Sequence, residues 1–421
     1  MPGQLDVYLF EHLIGNLVQV NGRLNFSYTP DWLARSGARA LSHSLPLQAV
    51  PFDDHATRPF FAGLLPEGDK RRLVAQALQV SRQNDFALLD GIGGECAGAV
   101  TLLEPGQLFR TLHSPPAVRW LDDAQRLHLL DEMPQRPMLA GEDGLRLSLA
   151  GAQDKLPVVA DGNRIGLPLL GTPSTHIIKP LIAGIDGSVH NEGFCMALAR
   201  AMGLDVAPAS VRQIEGRPYL LVTRDDRAPA MGANATPTRL HQEDFCQALG
   251  VPPETKYQNE GGPSLADAFT LLRSTTRPSA VQVLKLLDAA VFNALIGNHD
   301  AHGKNFSLLH TARGTVLAPL YDLLCTAVYP RLTDKMAMKI GSQYKFSEVQ
   351  ARHWMQFAEA AGLSTALVKK RILKMAERLP TLARSRLAAM ELQGNGHAVL
   401  GEIEKLVGQR CDLTVRRLTA V

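Results

Sequence analysis

An α+β chain with a β-rich lobe ahead of a helix-rich lobe, both behind a separate N-terminal module, is the fold the sequence predicts. Three observations predict it. Short runs of alternating apolar residues recur between residues 145 and 222, and after Leu240 the apolar period lengthens to that of a helix. A stretch rich in Pro and charge, residues 106–139, separates these lobes from a mixed α/β beginning. At 421 residues the chain exceeds what one hydrophobic core usually serves. A hydrophobic fraction of 45% with 20% charged residues excludes a disordered or collagen-like chain. The boundaries drawn are 1–105 for the N-terminal α/β subdomain, 106–139 for a linker, 140–230 for the β-rich lobe and 231–421 for the helical lobe.

The elements follow in order. Leu5 to Val20 alternates as two strands about a Gly15-Asn16 turn, and Leu24 to Thr29 continues the pattern. Pro51 to Pro66 reads as loop and Asp69 to Val80 as helix. Gly91, Gly93 and Gly94 lie among small residues, but no Lys-Ser/Thr follows, so they predict a tight packing turn rather than a phosphate loop. A short helix is expected over Asp122 to Asp131. Leu145 to Gly151 and Lys155 to Ala160 read as strands around a small-residue turn, and Asp161-Gly162 marks a hairpin. Thr175 to Pro180 is a β-branched strand, followed by a helix over Asn191 to Met202. Val281, Leu284, Leu287, Val291 and Leu295 repeat at helical spacing, and the last 70 or so residues are helical in pattern.

Charge and cysteines narrow the setting. The net charge of +3 excludes a polycation, yet residues 351–421 hold 12 basic and 6 acidic residues. That tail reads as a solvated helical face, with nucleic acid or an acidic partner as the other reading. Five scattered cysteines without a CxxC pair give neither a disulfide framework nor a zinc site, which fits a reducing cytoplasm. No basic region leads into an apolar one at the N-terminus. The apolar stretch from Leu286 to Gly297 is interrupted by Asp288 and Asn293, too short and polar for a bilayer. A soluble cytoplasmic protein without a membrane partner is expected.

Gly297 to Asn305, GNHDAHGKN, is the sharpest segment: a polar run between an apolar helix and the strand FSLLH. Asp300 and Asn305 stand five apart, the Asp-x-x-x-x-Asn spacing of a kinase catalytic loop, in which the Asp orients the attacking hydroxyl and the Asn holds metal. Strand, turn and strand then lead to Asp322, where a kinase keeps its magnesium-binding Asp. Asn305 and Asp322 offer a hard Mg²⁺ oxygen ligands. His302 is positioned to serve Asp300 or a phosphate as a local donor. In the β-rich lobe Lys179 ends its strand as the phosphate-pairing Lys of V-A-I-K does, with Glu192 as a candidate ion-pair partner. Ser148, Gly151 and Ala152 leave room for backbone to approach phosphate, with Lys155 adding charge.

Ser148–Lys155 (SLAGAQDK), Thr175–Lys179 (THIIK), Gln242–Gly262, Gly297–Asn305 and Leu320–Leu323 (LYDL) together resemble the HipA family, the serine/threonine-kinase toxins of HipBA-type toxin–antitoxin modules. FSYTPDWLARSGARALSHSLPLQ resembles the family's N-terminal domain. The resemblance implies a two-lobed protein-kinase-like fold of HipA type, with ATP and Mg²⁺ as cofactors. It implies Asp300 as the catalytic base, Asn305 and Asp322 as the magnesium ligands and Lys179 as a nucleotide-phosphate contact. Gly151, Ala152, Gln153, Lys155, Thr223, Asp225, Asp226, His302 and Lys304 complete the implied nucleotide site, Asp226 on the ribose side. Ser148 matches a serine that members autophosphorylate in a flexible loop, shutting themselves off. The implied partners are a HipB-like helix-turn-helix antitoxin, operator DNA mainly through it, and glutamyl-tRNA synthetase as substrate. Two departures stand out: many relatives have Glu where Thr223 stands and an aromatic where Asp225 stands, and Tyr321-Asp322-Leu323 replaces Asp-Phe-Gly. The other readings are a metal-dependent phosphohydrolase using His299-Asp300, which needs further His or Asp ligands, and a non-catalytic corepressor subunit.

Overall fold

The computed structural model describes residues 3–107, 116–228 and 237–420. The chain groups into two units: Met1–Pro180 with Gln213–Pro253 and Leu309–Ala312, and Leu181–Arg212 with Glu254–Leu308 and Arg313–Val421. Residues 116–139, within the stretch read as a linker, group with the first unit.

In the first unit β1 (Gly3–Leu9), β2 (His12–Val20), β3 (Arg23–Tyr28) and β4 (Val100–Leu103) form an antiparallel sheet ordered β3-β2-β1-β4. The first turn falls at Phe10-Glu11, with Phe10 in the left-handed region (φ 59°), not at Gly15-Asn16 as expected. Gly15 instead sits within β2, opposite Val7 and Tyr28, where a Cβ would lie 2.4 Å from the Ser27 carbonyl oxygen. The glycine answers a close backbone approach, which imitates a turn signal in sequence.

Four helices follow β3: α1 (Pro30–Ala34), α2 (Asp54–Ala62), α3 (Gly68–Ala77) and α4 (Asp85–Ile92). The second corrects the loop expected over Pro51 to Pro66. Asp53 caps it by accepting from the Ala56 N–H, and it buries Phe60 and Phe61 beside Phe26. Gly91, Gly93 and Gly94 are packing positions, as expected: side chains there would strike Leu78, Leu102 and Arg146.

The unit continues with β5 (Ala117–Leu121), α5 (Asp123–Glu132), β6 (Leu156–Asp161), β7 (Arg164–Leu169) and β8 (His176–Lys179). The hairpin β6–β7 turns at Gly162-Asn163, and α5 carries a full capping box from Asp122 and Gln125. Residues 145–151, expected as a strand, make only the bridges Leu147–Glu95 and Gly151–Pro66. Beyond Pro180 the chain enters the second unit with α6 (Ser188–Met202) and returns along β9 (Ala209–Ile214) to β10 (Arg217–Thr223). The second sheet is six-stranded, in the order β5-β7-β6-β8-β10-β9. Two short strands, β11 (Arg227–Ala228) and β12 (Thr238–Arg239), pair with each other, and β13 (His241–Asp244) leads into α7 (Phe245–Leu249).

The second unit is built on helices. After α8 (Leu265–Thr275) comes α9 (Ser279–Ile296), packed by α8 and by the later α11 and α12. Its 18 residues are long and apolar enough to cross a bilayer, more than the interrupted stretch suggested, but two-thirds of it is buried inside the protein. Val281 is 48% exposed, whereas Val283, Leu286 and Leu287 are buried, so the inward face is shifted from the expected one. There follow β14 (Ser307–Thr311), β15 (Gly314–Leu317), β16 (Lys335–Ile340) and β17 (Gln343–Lys345), then α10 (Ala351–Ala360), α11 (Thr365–Leu392) and α12 (Ala398–Thr419). All five cysteines are free and buried.

Candidate active site

In the second unit the polar loop is set by the end of α9. Gly297 closes that helix in the left-handed conformation (φ 77°), where a Cβ would come within 2.7 Å of the Ala327 Cβ. The next residue, Asn298, is buried and joins three pieces of the loop. Its amide donates to Asn293 Oδ1 (2.9 Å) and to the main-chain oxygen of Asp322 (3.3 Å), and its own Oδ1 accepts the Asp300 N–H (3.1 Å). Asn305 donates through Nδ2 to the Asp300 carbonyl at 2.9 Å, which leaves the Asn305 carbonyl oxygen as a donor for a hard cation. Asp300, Asn305 and Asp322 thus belong to one hydrogen-bonded frame. Asp322 holds a left-handed backbone (φ 52°), which short polar residues tolerate best.

The side chain of Asp300 is half-buried and receives the Tyr257 hydroxyl on Oδ1 at 2.5 Å. The Tyr257 ring meets the His302 ring edge-on, centroids 5.1 Å apart. His302 is buried and stays neutral, because burial first and then Lys256 and Lys304 push its pKa well below the ordinary histidine value. Its main-chain N–H donates to the Asp300 carbonyl. Lys304 is buried too, its carbonyl accepting from Tyr321, whose hydroxyl also bonds Ser307. His299 points elsewhere, its Nδ1 against the Thr333 carbonyl at 2.9 Å. Among the described residues no three His, Cys, Asp or Glu side chains gather as a metal set, so the phosphohydrolase reading lacks its ligands. Asn305 and Asp322 offer oxygen donors of the kind a hard Mg²⁺ takes.

The first unit carries the nucleotide-side candidates. Lys179 is buried at the end of β8, opposite Leu220 of β10. Gly151 has φ 110°, and a Cβ on it would lie 2.9 Å from the Lys155 ammonium. Ala152 is exposed and Gln153 partly so, while Asp154 pairs with Lys70 at 2.7 Å. Ser148, expected in a flexible loop, is fully buried here, its hydroxyl donating to the Leu64 carbonyl (2.7 Å) and its N–H to the Glu95 carbonyl (2.9 Å). Thr223 ends β10 across from His176. Asp225 is partly buried, with Oδ2 lacking a hydrogen bond; burial and the neighbouring Asp226 raise its pKa to about 7. Glu192 lies buried in α6, in the second unit.

Asp226 is buried against Arg224 Nε (2.8 Å), Arg227 and the Gly98 N–H. It belongs to an ionic cluster the sequence reading missed, centred on Glu95. Glu95 accepts from Arg227 at 2.7 Å, from Arg224 and Arg239, and from the N–H and hydroxyl of Ser174. Burial opposes its ionisation, but Arg227, Arg239 and Arg224 outweigh burial and hold the carboxyl below its usual range. An acidic residue inside the small apolar run GIGGECAGAV was the available signal, since such a charge needs partners. Asn298 and Tyr257 were likewise missed, one as an unremarked loop amide, the other 43 residues from the Asp300 it touches.

A model of the HipA-like C-terminal domain matches residues 147–383, and one of the HipA N-terminal domain matches residues 5–103. The protein Y4mE of Sinorhizobium fredii is 49% identical over 381 residues, 89% of either chain. The serine/threonine-protein kinase toxin HipA of Shewanella oneidensis is 29% identical over 389 residues, 89% of this chain and 87% of that one. HipA solved from Shewanella oneidensis with HipB and its operator DNA superposes with a TM-score of 0.85 at 26% identity, covering 99% of both chains.

Proposed function

The chain belongs to the HipA family of serine/threonine-protein kinase toxins, and from that premise we propose that it moves the terminal phosphate of ATP onto a protein serine or threonine and so arrests growth. One observation carries the reading: Asn298 and Asn305 tie Asp300 and Asp322 into a single frame. Asp300 orients the substrate hydroxyl and takes its proton as the hydroxyl oxygen bonds to phosphorus and the bond to the leaving ADP oxygen breaks. For that hydroxyl to meet Oδ1, Tyr257 must yield it. Asn305 and Asp322 would hold Mg²⁺, which supplies charge neutralisation along the phosphates. Lys179, Lys155, Lys304 and neutral His302 would serve the nucleotide, with Gly151, Ala152 and Gln153 as a backbone approach and Thr223 and Asp225 near the base.

Self-phosphorylation of Ser148 is part of the proposal, and its burial says what it requires. A phosphate adds nearly two negative charges, and none fits where the hydroxyl abuts the Leu64 carbonyl. The segment must leave its packing to be modified and cannot return afterwards, which would remove Gly151 to Lys155 from the nucleotide. For substrate we propose glutamyl-tRNA synthetase or another translation protein, and for partner a HipB-like helix-turn-helix antitoxin that carries the toxin to operator DNA in the cytoplasm.

Incubating the protein with Mg²⁺ and γ-labelled ATP, beside Asp300→Asn and Ser148→Ala, tests both parts. Label on Ser148 is expected in the wild type alone; Ser148→Ala should lose self-labelling yet still phosphorylate substrate. Normal transfer by a folded Asp300→Asn variant would sink the mechanism, and undiminished self-label in Ser148→Ala would sink the switch.

A further inference from the structure

The first unit holds a cavity of about 290 Å³ apart from the residues given nucleotide roles above. One wall comes from β4, where the strand's twofold alternation divides its side chains. Val100 and Leu102 join the hydrophobic core, and Thr101 and Leu103 face the cavity. Thr101 is only 4% exposed and its hydroxyl has no hydrogen-bond partner. A buried hydroxyl left unpaired is costly, and a ligand oxygen in the cavity would satisfy it.

Two guanidinium groups line the same space, those of Arg146 and Arg239. Arg146 is held by main-chain carbonyls at the end of α4, donating from Nε to Asp90 O at 3.0 Å and from Nη2 to Leu89 O at 3.4 Å. Asp90 and Glu104 are near enough to influence it, yet among the described residues no carboxylate forms an ion pair with Arg146. Gly94 permits this placement, since a Cβ there would lie 2.8 Å from the Arg146 Cβ. Glu95 also borders the cavity, but its charge is already met by Arg224, Arg227 and Arg239. Arg239 is taken up by Glu95, so Arg146 is the lining cation without an ion pair among the described residues, while Leu103, Leu147 and Pro168 make an apolar wall. A few convergent polar groups on an apolar lining are the usual make-up of a small-molecule site.

We propose that this cavity binds a small carboxylate with a flat or branched apolar body, its oxygens taken by Arg146 and the Thr101 hydroxyl. The site is independent of phosphate transfer. Thr101→Val is the clean probe, because it keeps the shape and removes a hydroxyl that bonds nothing in the folded chain.

Calorimetric titration of the full chain with benzoate, and with benzamide as its uncharged counterpart, tests the assignment. Saturable one-site binding of benzoate is expected, at least tenfold weaker for benzamide, and about tenfold weaker for benzoate in Thr101→Val and in Arg146→Gln. Thr101→Val should melt at or above the wild type, so lost binding there is not lost folding. Equal affinity for benzamide, benzoate affinity unchanged in Thr101→Val, or no saturable binding at millimolar benzoate would each overturn it.

Discussion

Asp226 and Asp300 carry the same side chain into polar surroundings and are used in opposite ways. Asp226, in the first unit, is enclosed by two arginines and a backbone N–H, in a cluster where Glu95 takes three arginines of its own. Asp300, in the second, is half-exposed, and its carboxylate meets a neutral hydroxyl while its main chain is pinned by Asn298, Asn305 and His302. One carboxylate is enclosed by guanidinium groups; the other accepts a hydroxyl while its backbone is fixed by two asparagines and a main-chain N–H. The donors around an aspartate decide its role, and its position in a motif does not. Asp226, matched in sequence to a ribose-side position, is held here as a buried ion among arginines.

Three substitutions press on this contrast. The largest effect is expected from Glu95→Ala, which leaves three buried arginines short of a carboxylate. Removing one partner of a buried charge set costs about 3–5 kcal/mol, to be read by urea unfolding of the full chain. A loss below about 1 kcal/mol would mean the cluster is no more than surface-grade pairing.

Next is Asn298→Ala. Loss of its buried bonds should cost folding only about 1–2 kcal/mol, but misplacing Asp300 against Asp322 should lower kcat roughly 10- to 100-fold. If kcat falls no more than the unfolded fraction explains, the frame is not what positions the base.

The smallest effect is a dependence on pH. Asp225 has its folded pKa raised to about 7 by burial and by Asp226, against an ordinary value of 3.8. The folded state therefore favours its protonated form, so its stabilising contribution is complete below pH 4 and disappears as pH rises through about 7. Asp225→Asn should raise the melting temperature at pH 8, by about 1–2 kcal/mol in stability, and the gain should shrink toward zero as pH falls to 4. A gain independent of pH would show that the carboxylate's charge is not the cause.

Much of this was legible in the sequence for a physical reason. Asp300, Asn305 and Asp322 lie close along the chain, and a polar run between two buried elements announces itself. The hairpin at Gly162 and the cap of α5 are equally local. Legibility failed where a residue's meaning depends on something distant in the chain. Gly15 looked like a turn because the sequence does not display the Ser27 carbonyl above it. Ser148 looked mobile because its small neighbours do not reveal Leu64 and Glu95 packed over it. Tyr257 and the arginines around Glu95 are visible only once the fold has closed loops of tens of residues or more.

The chain's division also sets an order of events during its own synthesis. The first unit takes its last segment, Leu309–Ala312, from beyond the polar loop of the second. A ribosome making about 5–20 residues per second needs on the order of 10 s to travel from Pro180 to Leu309. Throughout that interval the N-terminal unit is unfinished, and by the time it can close, Asp300 and Asn305 have already been translated. A messenger cut short before codon 309 therefore yields neither unit whole, and a nascent chain cannot present a completed first unit that lacks the residues of the polar loop.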